Sequence, residues 1–431
     1  MLCCKMHTQK KQKMNLFSVV AFVIGLQLGS ALFLLPEQLM PYGSWGALSW
    51  LVSGMGALSL TLIFAVLSRT DPAFGGPCVY IEKAFGTHVG FYSTWAYWFI
   101  SWFSSVPLLL LAVSSLESAL GYKLTLFLKI IIGSLLLATI SILNLYGAVI
   151  AGWGEIAFAL CKVLPWVIIP LIVVTKYGWG TPHWDVEFTP LKALSSASLL
   201  TFWGFVGLEA STTIKDVVKR PERTIPLALF LGTSCVLLIY FVNTWIVLGE
   251  MPLAQGINPL NRIISKVFGP WGNVSFSLLT MMMCLGTLNS WLLASGQMIS
   301  VALKSGLIQI TPPKAMNPTV FGVLLTAFMI GATTFLIQFR NSEEILGKVI
   351  ELCCAIFIMI YVACLLALIR FIWCKELQVS RWVWGVILIA GGFSFWSLYT
   401  LPLSFWIIPG ILFLTGKFIK NRFTDGECRD C

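Results

Sequence analysis

The stretch Thr201–Ser211 reads TFWGFVGLEAS, an apolar run interrupted by Gly204 and Gly207 and carrying one carboxylate, Glu209. A run of this kind should form a plain membrane helix, and these three residues are what such a helix avoids. Glycine in a helix interior costs about 1 kcal/mol relative to alanine. An ionisable group at bilayer depth is expensive unless it faces a cavity or a partner. A second interruption, GLQLGS, occupies Gly25–Ser30, and Gly29 precedes Gly207 by 178 residues. Two interrupted apolar segments in corresponding positions point to a binding site of the kind secondary transporters build at the bilayer midplane.

The rest of the chain supports a membrane setting. It is 58% hydrophobic and 11% charged, which excludes an ordinary soluble domain. Runs long enough to cross a bilayer fall at roughly 16–39, 45–67, 89–115, 125–146, 150–175, 194–213, 225–248, 271–302, 318–338, 346–370, 382–400 and 403–418, twelve in all. Only Pro402 separates the last two. Of the 28 lysines and arginines, 19 fall in the tails and the loops on their side, among them Lys10, Lys11, Lys13, Lys215, Lys219, Arg220 and Arg223. Eight fall on the other side, and Lys162 lies within a run. That bias places both termini in the cytoplasm. The net charge of +10 is therefore a topology signal, and no nucleic-acid partner is expected.

Other classes drop out on residue types. The first run follows a basic leader, but it is too long for a signal-peptide core and lacks a small-residue cleavage site. Most of the 12 cysteines lie within runs (Cys161, Cys235, Cys284, Cys353, Cys354, Cys364) or in the tails, as buried thiols do. His7, His88 and His183 lie far apart, without cysteine or carboxylate at ligand spacing, so no metal is expected. No P-loop, nucleophile elbow or His-Glu-x-x-His is present. An enzyme and a bound cofactor are not expected, nor is ATP-driven transport.

Four motifs carry a resemblance. They are GLQLGSALFLLPEQL in the first run, DPAFGGPCVYIEKAFG after the second, LTFWGFVGLEASTTIKDVVKRPERTIPLA at the sixth and CLGTLNSWLLASGQ in the eighth. In this order they resemble the amino acid–polyamine–organocation superfamily, and within it the basic amino acid/polyamine antiporters such as arginine/agmatine and lysine/cadaverine exchangers. The resemblance implies an all-α integral membrane protein of about twelve helices. Its fold would be the LeuT-like five-plus-five inverted repeat, with discontinuous first and sixth helices. On this plan residues 1–14 form a cytoplasmic tail and 15–376 the ten-helix core, with repeats at about 15–176 and 190–376. Two further helices occupy 377–418, and 419–431 form a second cytoplasmic tail.

An unwound turn leaves amide and carbonyl groups that must be satisfied inside the protein. A zwitterionic amino acid does this. Its carboxylate takes the amides and helix N-terminus around Gln27, Gly29, Ser30 and Ala31, and its ammonium takes carbonyls around Trp203, Val206 and Gly207. The resemblance makes Trp203 and Trp291 aromatic gates, with Trp291 a surface on which a guanidinium or alkylammonium stacks. An aromatic gate accepts apolar side chains as well. Glu209 reads either as a gate or proton-coupling residue or as a carboxylate paired with Lys215 near the end of its run. Tyr97 matches a family tyrosine thought to pair with the Glu209 region, and plain packing is its other reading.

Three residues depart from the antiporter pattern. Lys162 stands where those antiporters carry a small residue and many sodium-independent relatives carry lysine. There the ammonium takes the place of a sodium ion tying the fifth span to the first; otherwise Lys162 reaches toward headgroups. Ala31 replaces a glycine of the first-span motif. Ser105 replaces an asparagine that touches substrate in the arginine exchanger.

The expected function is sodium-independent exchange of basic amino acids or their amines, by alternating access in a bacterial inner membrane. A proton-coupled permease for neutral or broad-range amino acids is the second reading, and a transport-dead sensor the third. The expected partners are a small amino acid or amine and the lipid bilayer, with a homodimer left open.

Overall fold

A computed structural model describes residues 14–69, 76–145, 153–209, 218–249, 259–304, 316–338 and 342–401, with Gly410, Thr415 and Gly416. Regular structure among them is helical, apart from one parallel bridge between Met14 and Val218. The first run is divided into α1 (Leu16–Gln27) and α2 (Ala31–Leu39), and a short 3-10 turn leads into α3 (Gly43–Leu67). Then come α4 (Pro77–Phe85), α5 (Thr87–Phe103), α6 (Val106–Leu120), α7 (Leu126–Leu145) and α8 (Trp153–Tyr177). The second half holds α9 (Pro190–Phe202), α10 (Pro221–Gly249), α11 (Pro259–Lys304), α12 (Pro318–Gln338), α13 (Ser342–Trp373) and α14 (Trp382–Tyr399). Eight stretches among the described residues are long and apolar enough to cross a membrane. The run expected at 403–418 and the tails lie almost wholly outside the described residues.

Helix boundaries follow local chemistry. Asn15 caps α1, its Oδ1 accepting the Ser18 amide at 2.9 Å. Pro107 has no N–H for the Phe103 carbonyl, and the chain turns at Ser104–Ser105 between α5 and α6. In α8, Pro170 likewise orphans the Trp166 carbonyl, and the Asn243 amide of α10 donates to it at 2.9 Å. Two corners share one device. Lys83-Ala-Phe85-Gly86 closes α4 with Gly86 at φ +87°, and Lys266-Val-Phe268-Gly269 bends α11 with Gly269 at φ +68°. Only glycine enters that region without a Cβ penalty.

Packing centres on α3, which lies against α9, α10 and α14. Apolar surface gains little from leaving lipid, so small residues that let helices approach closely matter more. A Cβ on Gly56 would sit 2.3 Å from the Phe393 ring, and one on Gly54 2.5 Å from Leu237. Hydroxyls join the same faces: Thr201 Oγ1 donates to Ser53 Oγ at 2.9 Å, and Trp50 Nε1 to Thr244 Oγ1 at 2.9 Å. Cys284, Cys353, Cys354 and Cys364 are buried free thiols.

Candidate functional site

The last bond inside α1 runs from the Leu28 amide to the Ile24 carbonyl at 2.7 Å, after which Leu28 turns to φ −77°, ψ 94°. In a continuous helix the Gly25 carbonyl would take the Gly29 amide. Here Lys162 Nζ of α8 donates to that carbonyl at 2.9 Å. The Tyr240 hydroxyl of α10 donates to the Gln27 carbonyl at 2.6 Å. Side chains from two neighbouring helices thus cap the end of α1, the lysine with the charge that suits a helix C-terminus. The buried Lys162 joins α8 to α1 and does not reach outward.

α2 begins without a side-chain cap. Its first amides lack intrahelical acceptors and point where an anion is favoured. Across from it, α9 stops at Phe202, one 3-10 turn follows over Trp203–Phe205, and Gly207 adopts φ +101°. The Trp203 indole donates to Ser30 Oγ at 3.1 Å, joining the two interrupted segments.

Between them lies a small pocket lined by Leu26, Gln27, Gly29, Ser30, Ala31, Ser104, Leu108, Trp203, Val206, Thr287 and Trp291. Gln27, Gly29, Ser30, Ala31, Trp203, Val206 and Trp291 were candidates from sequence and meet there. Gly207 adjoins the lining: a Cβ on it would lie 3.6 Å from Trp291 Cζ2. Ser105 does not line the cavity; it is fully buried and its hydroxyl donates to the Ser101 carbonyl at 2.8 Å. The Pro107 turn presents Ser104 instead. Leu26, Ser104, Leu108 and Thr287 were not singled out from the sequence. Thr287 had a usable signal, one turn before Trp291 on α11.

Glu209 is fully buried beyond this lining. The Tyr97 hydroxyl donates to its Oε1 at 2.5 Å, and the Tyr361 hydroxyl donates to its Oε2. Each carboxylate oxygen thus has a tyrosine hydroxyl as its partner. The Lys215 pairing considered from sequence lies outside the described residues. Tyr361 was missed, although a single hydroxyl in the aliphatic run Ala355–Leu366 is a legible oddity. The Phe357 ring contacts both Tyr97 and Trp291, its centroid 5.8 Å from each.

The geometry therefore offers helix-end amides and two indoles, with no carboxylate among the described lining residues. The chain matches the amino acid permease family model over residues 14–419. It is 28% identical over 364 residues to the cadaverine/lysine antiporter of Escherichia coli strain K12, covering 79% of this chain and 78% of that one. The putrescine transporter PotE of the same strain is 28% identical over 319 residues, 70% of each chain. An arginine/ornithine antiporter of Pseudomonas aeruginosa is 28% identical over 320 residues, 69% of this chain and 65% of that one. In fold the chain is similar to a nucleobase-cation-symport-1 family transporter solved in a closed conformation with bromovinylhydantoin bound. The TM-score is 0.62 at 15% identity, covering 95% of this chain and 91% of that one. The chain is a multi-pass membrane protein and belongs to the amino acid permease family, within the amino acid–polyamine–organocation superfamily.

Proposed function

We propose that this protein is a sodium-independent secondary transporter that exchanges basic amino acids and their amines by alternating access. One observation carries the reading: the uncapped N-terminus of α2 meets the interrupted end of α9 around a pocket lined by Trp203 and Trp291. The α-carboxylate would sit on the α2 amides and the α-ammonium on carbonyls around Leu26 and Trp203–Gly207. Trp291 would carry the cationic side chain. The three relatives, each named for basic amino acids or polyamines, support that substrate class. Glu209, held by Tyr97 and Tyr361, would act as a gate, and Lys162 would stand where a coupling cation could otherwise tie α8 to α1.

The architecture proposed with it is a pair of inverted repeats, residues 15–176 and 190–376, followed by two further helices in 377–418. The paired interruptions at Leu28–Ser30 and Val206–Gly207 support this, as do the paired Lys-x-Phe-Gly corners. The membrane would be a bacterial inner membrane with both termini cytoplasmic.

Purified protein in liposomes loaded with lysine, arginine, ornithine, cadaverine or putrescine should take up the labelled compound in counterflow. No counterflow with any of the five would sink the proposal. A second reading, proton-coupled uptake of neutral amino acids, is favoured by Leu26, Leu108 and Val206 in the lining, where no carboxylate stands among the described residues. It would show as uptake into empty liposomes driven by a pH gradient.

A further inference from the structure

We infer that Tyr240 is a positioning residue that holds both interrupted segments in register, through its hydroxyl on one and its ring on the other. The inference rests on reading the cavity as an amino acid site, because it concerns which backbone groups that site presents.

The hydroxyl bridges the break between α1 and α2. It donates to the Gln27 carbonyl at 2.6 Å and faces the Gly29 amide, which donates to it at 3.4 Å. A carbonyl and an amide on opposite sides of the break are thereby satisfied by one side chain, where an unmade bond would be costly at bilayer depth. The groups left for a substrate are then the amides that open α2 and the Leu26 carbonyl.

The ring governs the other break. Tyr240 is fully buried, stacked on Trp50 with centroids 4.3 Å apart and planes 18° apart. Phe205, in the turn after α9, meets it edge-on at 6.0 Å. A Cβ on Gly204 would lie 2.7 Å from Tyr240 Cε2 and 2.7 Å from Trp50 Cζ3. The glycine is thus required by the ring pair, since nothing larger fits between backbone and rings. Thr244, one turn along α10 from Tyr240, anchors Trp50 by accepting its indole N–H at 2.9 Å. Thr233 holds the Gln27 side chain by accepting from Nε2 at 3.1 Å. α10 therefore acts as the fixed rail against which both segments are set.

Tyr240→Phe keeps the ring stack and removes only the hydroxyl, so it separates positioning from packing. In liposomes loaded with unlabelled lysine, the KM for radiolabelled lysine should rise about tenfold, the loss of one buried hydrogen bond, while kcat stays within about twofold. Deuterium exchange of the Ile24–Leu32 amides should quicken about tenfold, with α3 unchanged. Thr244→Val releases Trp50 but leaves the hydroxyl bridge, and should keep the deuterium exchange of the Ile24–Leu32 amides at wild-type values. Unchanged KM together with unchanged deuterium exchange in Tyr240→Phe would overturn the inference. Absence of lysine exchange in the wild type would fail the substrate reading alone, and deuterium exchange would then decide the positioning role. Should Tyr240→Phe not fold, the wild type decides. Its Gly29 amide, outside any helix, exchanges slowly if the Tyr240 hydroxyl holds it and at a loop amide's rate if the inference is wrong.

Discussion

Gly207 shows how a single residue sets the site. Its φ of +101° is a region that side-chain-bearing residues rarely adopt, whereas a built Cβ would make only ordinary contacts, with Trp291 at 3.6 Å and Leu26 at 4.0 Å. The cost of Gly207→Ala is therefore backbone strain of about 1–3 kcal/mol and not a clash. We expect exchange to fall by at least about tenfold, and removing the ring in Gly207→Ala/Trp291→Ala should give no recovery. Recovery in that double variant, measured by counterflow, would mean that the indole and not the backbone sets the requirement. Glu209 illustrates the opposite case. Its oddity is plain in the sequence, but its partners Tyr97 and Tyr361 lie 112 and 152 residues away.

At the scale of elements, the turn between α5 and α6 places Ser104 and Leu108 in the lining while Ser105 is turned away. Its cause is the missing N–H of Pro107. Pro107→Ala supplies a donor for the Phe103 carbonyl and should straighten the pair into one continuous helix. The expected result is a KM raised about tenfold with the thermal midpoint little changed, since Pro107 lies in the first turn of α6, where its missing N–H costs α6 no helix bond. A wild-type KM in this variant would show that the turn does not position the lining. The same logic explains why Ser104 and not Ser105 stands in the described lining. A motif match counts residues, whereas a proline-induced turn rotates the face they present.

For the whole molecule, Lys162 is the test of how the parts are joined. Its ammonium on the Gly25 carbonyl is a cross-link between α8 and the end of α1, formed 137 residues apart and buried from solvent. Lys162→Met keeps the stem and removes the charge and donor. It should cut exchange at least about tenfold and reduce the thermal shift that substrate produces, because the α1 end loses its cap. Wild-type exchange rates in Lys162→Met would instead assign the lysine a packing role.

Membrane class, the sites of both interruptions and most of the cavity lining were legible from the chain, because lipid enforces them locally. Apolar runs must match bilayer thickness, and a glycine or carboxylate within one stands out against that rule. Gln27, Gly29, Ser30, Ala31, Trp203 and Val206 could be named for the same reason, and Trp291 from the family resemblance. What only the tertiary structure decided is which partners meet at the breaks: Lys162 on the Gly25 carbonyl, Tyr240 across the Gln27 carbonyl and the Gly29 amide, the Trp203 indole on the Ser30 hydroxyl, and Tyr361 beside Tyr97 on the Glu209 carboxylate. A helix that is whole satisfies its own groups, and its sequence suffices to read it. A helix that is broken borrows donors and acceptors from distant elements, and their identity depends on which helices pack side by side.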